Sequence, residues 1–365
     1  MRLLLVAILV GHGLIHLMGF AKAFGLAALP QLTVPISKPV GALWLLAALG
    51  MFVSATVPPR VFWMVGLAAV VLSEGVILAS WRDARFGTIV NVVLLLAVVY
   101  SFGAHGPLSL RAAYAADLTD VRDRVALTEL VTEADLAALP EPVRRYLRVT
   151  GSVGRPRVAN LHVRWRGRIR GAANDPWMAF TAEQHSTFGP SPTRLFFMDA
   201  TMRGLPVDIY HRFLGGAATF RVRALSLFPM VDAAGPEMNR SETVTLFNDL
   251  CVLAPPALLD RSIRWAPVSV HTARGVFTRG AETVSAVLEF NDAGELVDFV
   301  SDDRSSASPD GKRFTLTRWS TPLRDYRVYD GRRLASRGVA RWYAPSGVFN
   351  YIELELTEVA FNVTP

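Results

Sequence analysis

Four long apolar blocks crowd the first hundred or so residues, and no comparable block follows. This asymmetry constrains the fold more than any other feature. About 20 apolar residues wound as helix at ~1.5 Å each cross the ~30 Å of hydrocarbon in a bilayer. The blocks lie at 3–26, 40–57, 61–80 and 86–104. Pro58-Pro59-Arg60 makes a tight connection between the second and third, and Trp63, Trp81 and Tyr100 fall where aromatic rings favour the headgroup zone. The expectation is a four-span transmembrane domain over 1–106. Ala21-Lys22-Ala23 has the small-x-small form of a signal-peptide cleavage site, but three further spans would anchor the chain even after cleavage.

Charge is distributed accordingly. Before Leu110 stand Arg2, Lys22, Lys38, Arg60, Arg82 and Arg85 against Glu74 and Asp83, which supplies +4 of the formal net charge of +7. The pI near 9.9 therefore partly reflects loops flanking membrane helices and is no sign of a nucleic-acid partner. The first and third connections carry Lys22, Lys38, Arg82 and Arg85, and the other side carries Arg2, Arg60 and Arg111. That small positive-inside bias places the soluble part of a multi-pass protein outside the cytoplasm. A lone Cys251 excludes an internal disulfide and a multi-cysteine zinc site, and reads as a packing residue.

Within the spans, His12 and His16 stand one helical turn apart, with Glu74 and Asn91 as the main other strongly polar groups. One reading is a metal pair or a proton relay ending on Glu74. The other is hydrogen bonding between helices that Gly11, Gly13 and Gly19 allow to approach. HExxH is absent and spacing supplies no third ligand, so no metal or cofactor is assigned.

Past Pro107 the composition turns to mixed charge, and 107–150 reads as a helical stalk containing Asp117, Asp120, Arg122, Asp123 and Arg124, a capped turn at Thr132 and Asp135, and a short helix over 142–149. From Val158 the period changes to two. Leu161, Val163, Trp165, Gly167 and Ile169 alternate with His162, Arg164, Arg166, Arg168 and Arg170, giving a strand with one apolar and one basic face. Further strands are expected at 177–188, 193–200, 207–213, 218–228, 263–272, 282–290, 296–302, 313–320, 325–329, 339–344 and 349–361. Asn291-Asp292-Ala293-Gly294 is a good hairpin connection. Only a helix over 239–253, capped by Asn239 or Ser241, and a turn near 256–259 interrupt the series. Short turns between many strands mean a mainly antiparallel sheet, which must bury one face under the available helices.

The run Leu253-Ala254-Pro255-Pro256-Ala257-Leu258-Leu259 with Trp265, the stretch Val287-Leu288-Glu289-Phe290-Asn291-Asp292-Ala293-Gly294-Glu295-Leu296-Val297, and Arg318-Trp319 with Trp342 resemble a bacterial membrane-associated family of unknown function. Its soluble part is similar in outline to the open half-barrels of lipoprotein-carrier and mycobacterial lipoprotein type, which hold acyl chains against a concave apolar face. The resemblance covers roughly residues 140–365 and implies an antiparallel β half-barrel with covering helices over 151–365. With the four apolar blocks, the chain reads as an α+β protein of the bacterial plasma (inner) membrane, a four-helix transmembrane bundle followed by that half-barrel. The resemblance brings no catalytic residue, and a membrane anchor departs from carriers that diffuse between membranes.

Candidate cavity residues are Trp165, Trp177, Phe180, Phe197, Trp265, Trp319 and Trp342, and Arg164, Arg166, Arg168 and Arg170 are candidates for an anionic head, or else a solvated strand face. Glu295, Asp298, Asp302 and Asp303 form an acidic group suited to a cation or to acid-base work, or else to a solvated strand end and turn. No nucleophile elbow, phosphate loop or calcium loop occurs, so catalytic residues stay unassigned. Three functions remain open: binding of a lipid or other amphiphile beside the bilayer, a membrane enzyme or redox component built on His12, His16 and Glu74, and a protein-interaction module of the envelope. Oligomeric state is not encoded in any pattern here.

Overall fold

The computed structural model describes residues 2–121, 129–308 and 310–363. Two compact units are present, Met1–Ala112 and Ala113–Pro365. In the first, α1 (Arg2–Ala23), α2 (Lys38–Thr56), α3 (Pro59–Ala79) and α5 (Gly87–His105) are the apolar helices long enough to cross a membrane, and α4 (Trp81–Ala84) is a single turn between the last two. Pro39 and Pro59 sit in first turns, where a missing N–H costs nothing. Small residues set the helix spacing: a Cβ on Gly19 would lie 2.4 Å from the Trp44 ring. The outer surface remains apolar, with Leu3, Val71, Phe86 and Leu96 all more than 60% exposed.

In the second unit, α6 (Leu110–Val121) contributes Tyr114 and Asp117, and α7 is Glu141–Val149. The expected stalk residues Arg122, Asp123 and Arg124 lie outside the described residues. The Thr132 and Asp135 capping box is present ahead of a 3-10 turn at Glu133–Leu136. The strands are β1 (Asn160–Ile169), β2 (Met178–Thr187), β3 (Thr193–Met202), β4 (Leu205–Leu214), β5 (Ala217–Ala224), β6 (Phe228–Ala234), β7 (Ile263–Pro267), β8 (Thr272–Arg279), β9 (Glu282–Phe290), β10 (Leu296–Ser301), β11 (Ser305–Ala307), β12 (Phe314–Leu316), β13 (Trp319–Ser320), β14 (Leu323–Tyr329), β15 (Arg332–Ala344) and β16 (Gly347–Phe361), with α8 (Pro236–Val252) after β6. Fourteen form one antiparallel sheet ordered β6-β5-β4-β3-β2-β1-β16-β15-β13-β10-β9-β8-β7, with β14 added on β15. The outer strands β6 and β7 do not pair, so the sheet is a half-barrel and not a closed one. β11 and β12 make a separate hairpin.

Three expected strands are broken where the backbone turns. The stretch 218–228 is two strands, because Leu225 and Ser226 adopt φ of 52° and 58° and reverse the chain between β5 and β6. The stretch 263–272 contains the end of β7 at Pro267 and the start of β8 at Thr272, and 313–320 divides into β12 and β13. Helix α8 begins earlier than expected, with Gly235 as its cap and Pro236 in its first turn. Asn239 and Ser241 cap nothing: the Asn239 side chain accepts the Ala218 N–H at 2.8 Å and Ser241 Oγ accepts the Ser305 N–H at 3.0 Å. The Asn291 to Gly294 turn is as expected, Gly294 taking φ 83°.

Helix α8 organises the unit. It touches β5 and β6 near one end of the strand order and β9 and β10 near the other, so the sheet curls around it. Every residue from Ser241 to Val252 is buried. Phe247 stacks on Phe277 at 5.3 Å and meets Phe299 edge-on at 5.4 Å, over Gly275, where a Cβ would lie 2.6 Å from its ring. The β11–β12 hairpin crosses back to β6: Gly311, at φ 71°, leaves only 2.6 Å between a would-be Cβ and Val231.

Candidate functional site

Strand alternation decides which side chains reach the hollow between α8 and the sheet. On β3, Arg194, Phe196 and Met198 face it, whereas Phe197 faces the other way and packs 5.6 Å from the Tyr114 ring. On β1, Trp165 and Ile169 face it and the intervening arginines do not. What remains unfilled is a cavity of about 430 Å³. Ile209, Phe220, Val231, Ile352 and Leu354 add apolar wall. Gly171, Ala172 and Asp175 of the β1–β2 connection belong to its lining and are exposed, so the cavity opens to solvent there.

Of the seven aromatic candidates, Trp165, Trp319 and Trp342 line this cavity and four do not. Phe180 shares the inner face but fills the space over Gly167, and Phe197 is on the wrong side by strand parity. Trp177 lies under the Arg168 and Arg170 guanidiniums at 4.6 and 4.4 Å. Trp265 packs on Phe247 and donates to the Leu258 carbonyl at 3.2 Å. The basic strand face is paired: Arg164 with Glu358 at 3.3 Å, Arg166 with Glu355 at 2.9 Å and Arg168 with Glu353 at 2.8 Å, all across the β1–β16 ladder. Only Arg170 joins the cavity lining, beside its mouth, where it donates to the Asn350 carbonyl at 2.9 Å.

The acidic group does not converge on a cation. Glu295 pairs with Arg333 at 2.5 Å, Asp302 with Arg318 at 2.7 Å and Asp303 with Arg240 at 2.5 Å. Asp298 is different: burial, with a small contribution from Glu289, raises its pKa to about 6. Cys251 is fully buried, which pushes its thiol well above the usual range.

The cavity holds charges that strand periodicity gave no means of finding. Arg194 is buried between Glu242, at 3.0 Å, and Asp249, at 2.7 Å. Gln184 also donates to Asp249 at 2.6 Å, and His211 Nε2 lies 2.6 Å from Glu242. Burial alone would raise the Glu242 pKa, but His211 and Arg194 beside it hold it down to about 2. Burial keeps Asp249 above the ordinary carboxylate range despite Arg194. Arg304 makes no contact with this network, though its charge acts on Glu242 and His211 from a distance. It is 8% exposed, lies 4.6 Å above the Trp319 ring and 5.4 Å from that of Trp342, and donates a long hydrogen bond of 3.4 Å to the Tyr351 hydroxyl. Among the described residues no carboxylate lies within ion-pair distance of it, and its Nε has no partner. The signal that could have found these residues is the polar content of a helix wrapped on all sides, Glu242, Asn248 and Asp249, since buried charges require partners.

In the first unit the expected polar residues do meet. His12 Nε2 is 3.1 Å from Asn91 Oδ1 and 3.2 Å from Ser73 Oγ, and His16 Nε2 is 2.7 Å from Ser73 Oγ. Asn91 donates to Glu74 at 2.8 Å, so Glu74 is reached through the amide. Among the described residues no third metal-ligating group joins His12 and His16.

No curated protein matches the chain. Among solved structures it is similar to a DUF1329 family protein from Desulfovibrio piger, at 12% identity and TM-score 0.35 over 61% of this chain and 93% of that one. It is also similar to a LolA superfamily protein from Nitrosomonas europaea, at 11% identity and TM-score 0.33 over 61% and 93%. A family profile matches residues 129–354, a stretch that contains every residue lining the cavity, and the chain belongs to that family of unknown function, DUF6544.

Proposed function

We propose that the soluble unit binds an amphipathic molecule with an anionic head, its apolar part held in the half-barrel cavity and its head on Arg304. The observation that carries this reading is Arg304 itself, a buried guanidinium on the wall of a largely apolar cavity that feels Glu242 only from beyond ion-pair contact and has no carboxylate bonded to it among the described residues. A buried charge with no contacting counter-ion keeps part of its desolvation cost, and a carboxylate or phosphate entering the cavity would relieve that cost with paired hydrogen bonds. Arg194 is already neutralised by two acids and does not compete for the head. A volume of about 430 Å³ is in the ordinary range for small-molecule sites, and each methylene moved out of water contributes about 0.8 kcal/mol. Four apolar helices would hold this unit beside a bilayer, a store of such molecules, and an extracytoplasmic orientation agrees with the charge bias of the connections.

The test is native mass spectrometry of the detergent-purified full chain, followed by titration with a long-chain fatty acid while tryptophan emission from Trp165, Trp319 and Trp342 is recorded. A bound lipid and saturable quenching are expected. Arg304→Gln should weaken fatty-acid binding about 10- to 100-fold, and the corresponding uncharged alcohol much less. Absence of both co-purified lipid and saturable quenching would rule the reading out.

A further inference from the structure

On the face of the sheet turned away from the cavity, two histidines and a glutamate come together. His162 on β1 and His185 on β2 are direct cross-strand partners, and Glu183 is two residues before His185, on the same face. Their side alternates with Gln184, which lines the cavity, so the two sites are on opposite sides of one sheet. The imidazoles stack 4.2 Å apart and 18° from parallel. Each presents Nε2 to the same oxygen, Glu183 Oε1, at 2.7 Å from His162 and 3.6 Å from His185. One donor atom from each of the three residues lies within 4.8 Å of the other two.

We propose that His162, Glu183 and His185 form a site for a divalent transition-metal ion, zinc in the first instance. Metal–ligand bonds of 2.0–2.2 Å at tetrahedral angles place donors about 3.3 Å apart, between the two distances to Glu183. The strand ladder already fixes the backbone of all three ligands, and the stacked imidazoles need only turn about their side-chain bonds to aim both Nε2 lone pairs at one ion. A competing use of the carboxylate was available: Arg164 stands opposite Glu183 in the ladder, yet its guanidinium bonds to Glu358 at 3.3 Å and leaves Glu183 to the histidines. The Glu183 side chain is 41% exposed, which leaves a coordination position open to water or an exchangeable ligand. Two imidazoles are borderline donors that suit zinc, and a single carboxylate beside them gives magnesium or calcium too few oxygen ligands.

The experiment uses tag-free full-length protein in detergent, stripped with a chelator and titrated with Zn(II) against a chromogenic competitor. A parallel sample is loaded with Co(II) for visible absorption. One ion per chain is expected, with a visible Co(II) band. His162→Ala/His185→Ala should weaken Zn(II) binding about 100-fold or more and abolish the band, and Glu183→Gln should weaken it by a smaller factor. Far-UV circular dichroism establishes that each variant is folded, and fatty-acid quenching should be unchanged in all of them. Unaltered Zn(II) affinity in the folded double variant would overturn the assignment. So would loss of binding in His12→Ala/His16→Ala with the sheet histidines intact, since the ion would then belong to the membrane helices.

Discussion

Arg304 and Arg166 are both arginines of one half-barrel, and burial and pairing separate them. Arg166 is exposed and satisfied by Glu355, whereas Arg304 is enclosed by two tryptophans and a tyrosine hydroxyl. A run of alternating arginines is conspicuous in sequence, but strand geometry turns it to solvent opposite the glutamates of β16. Arg304 carries no local mark, because its neighbours come from β13, β15 and β16. Asp298 gives a residue-scale prediction about stability. The folded chain keeps its proton to about pH 6, whereas the unfolded chain releases it near the ordinary aspartate value, so between the two stability falls as pH rises. Asp298→Asn removes that penalty. Thermal unfolding should show the variant more stable by about 1–2 kcal/mol at pH 8, with little difference at pH 4.

Helix α8 is the element on which the half-barrel depends. A helix buried over a dozen consecutive positions cannot be amphipathic in the usual sense, and it satisfies its polar side by reaching Arg194, His211 and Thr321 on the surrounding strands. Its apolar side centres on Phe247. Phe247→Ala should destabilise the soluble unit by about 3–5 kcal/mol, measured by chemical denaturation in detergent, because the Phe277 and Phe299 rings and the wall at Gly275 are held by the sheet and cannot close the void. The existence of this helix was legible from its composition, but its start was not. Gly235, at φ 109°, and Pro236 terminate β6 and open the helix, while the nearer cap residues Asn239 and Ser241 are used in tertiary hydrogen bonds.

At the scale of the whole molecule, the exposed leucines, valines and phenylalanines of the first unit predict that the chain sediments with membranes, resists alkaline carbonate and high salt, and is released by detergent. Recovery in the carbonate supernatant would contradict the four spans. The four long apolar helices and the antiparallel half-barrel were readable in advance because each rests on a local pattern: twenty apolar residues in a row, or alternation by two. The same rule explains the errors. Positive φ at Leu225 and Ser226 split one apolar run into two strands, and parity sent Phe197 outward while its neighbour Phe196 lines the cavity. The convergence of His12, His16 and Asn91 followed partly from helix spacing, but the Ser73 that joins them did not. Sequence alone therefore determined the number of long apolar helices, the kind of sheet and its apolar face. Tertiary structure decided where the cavity lies and which charges it encloses, because a buried arginine is defined by strands far apart in the chain that meet only when the sheet curls around α8.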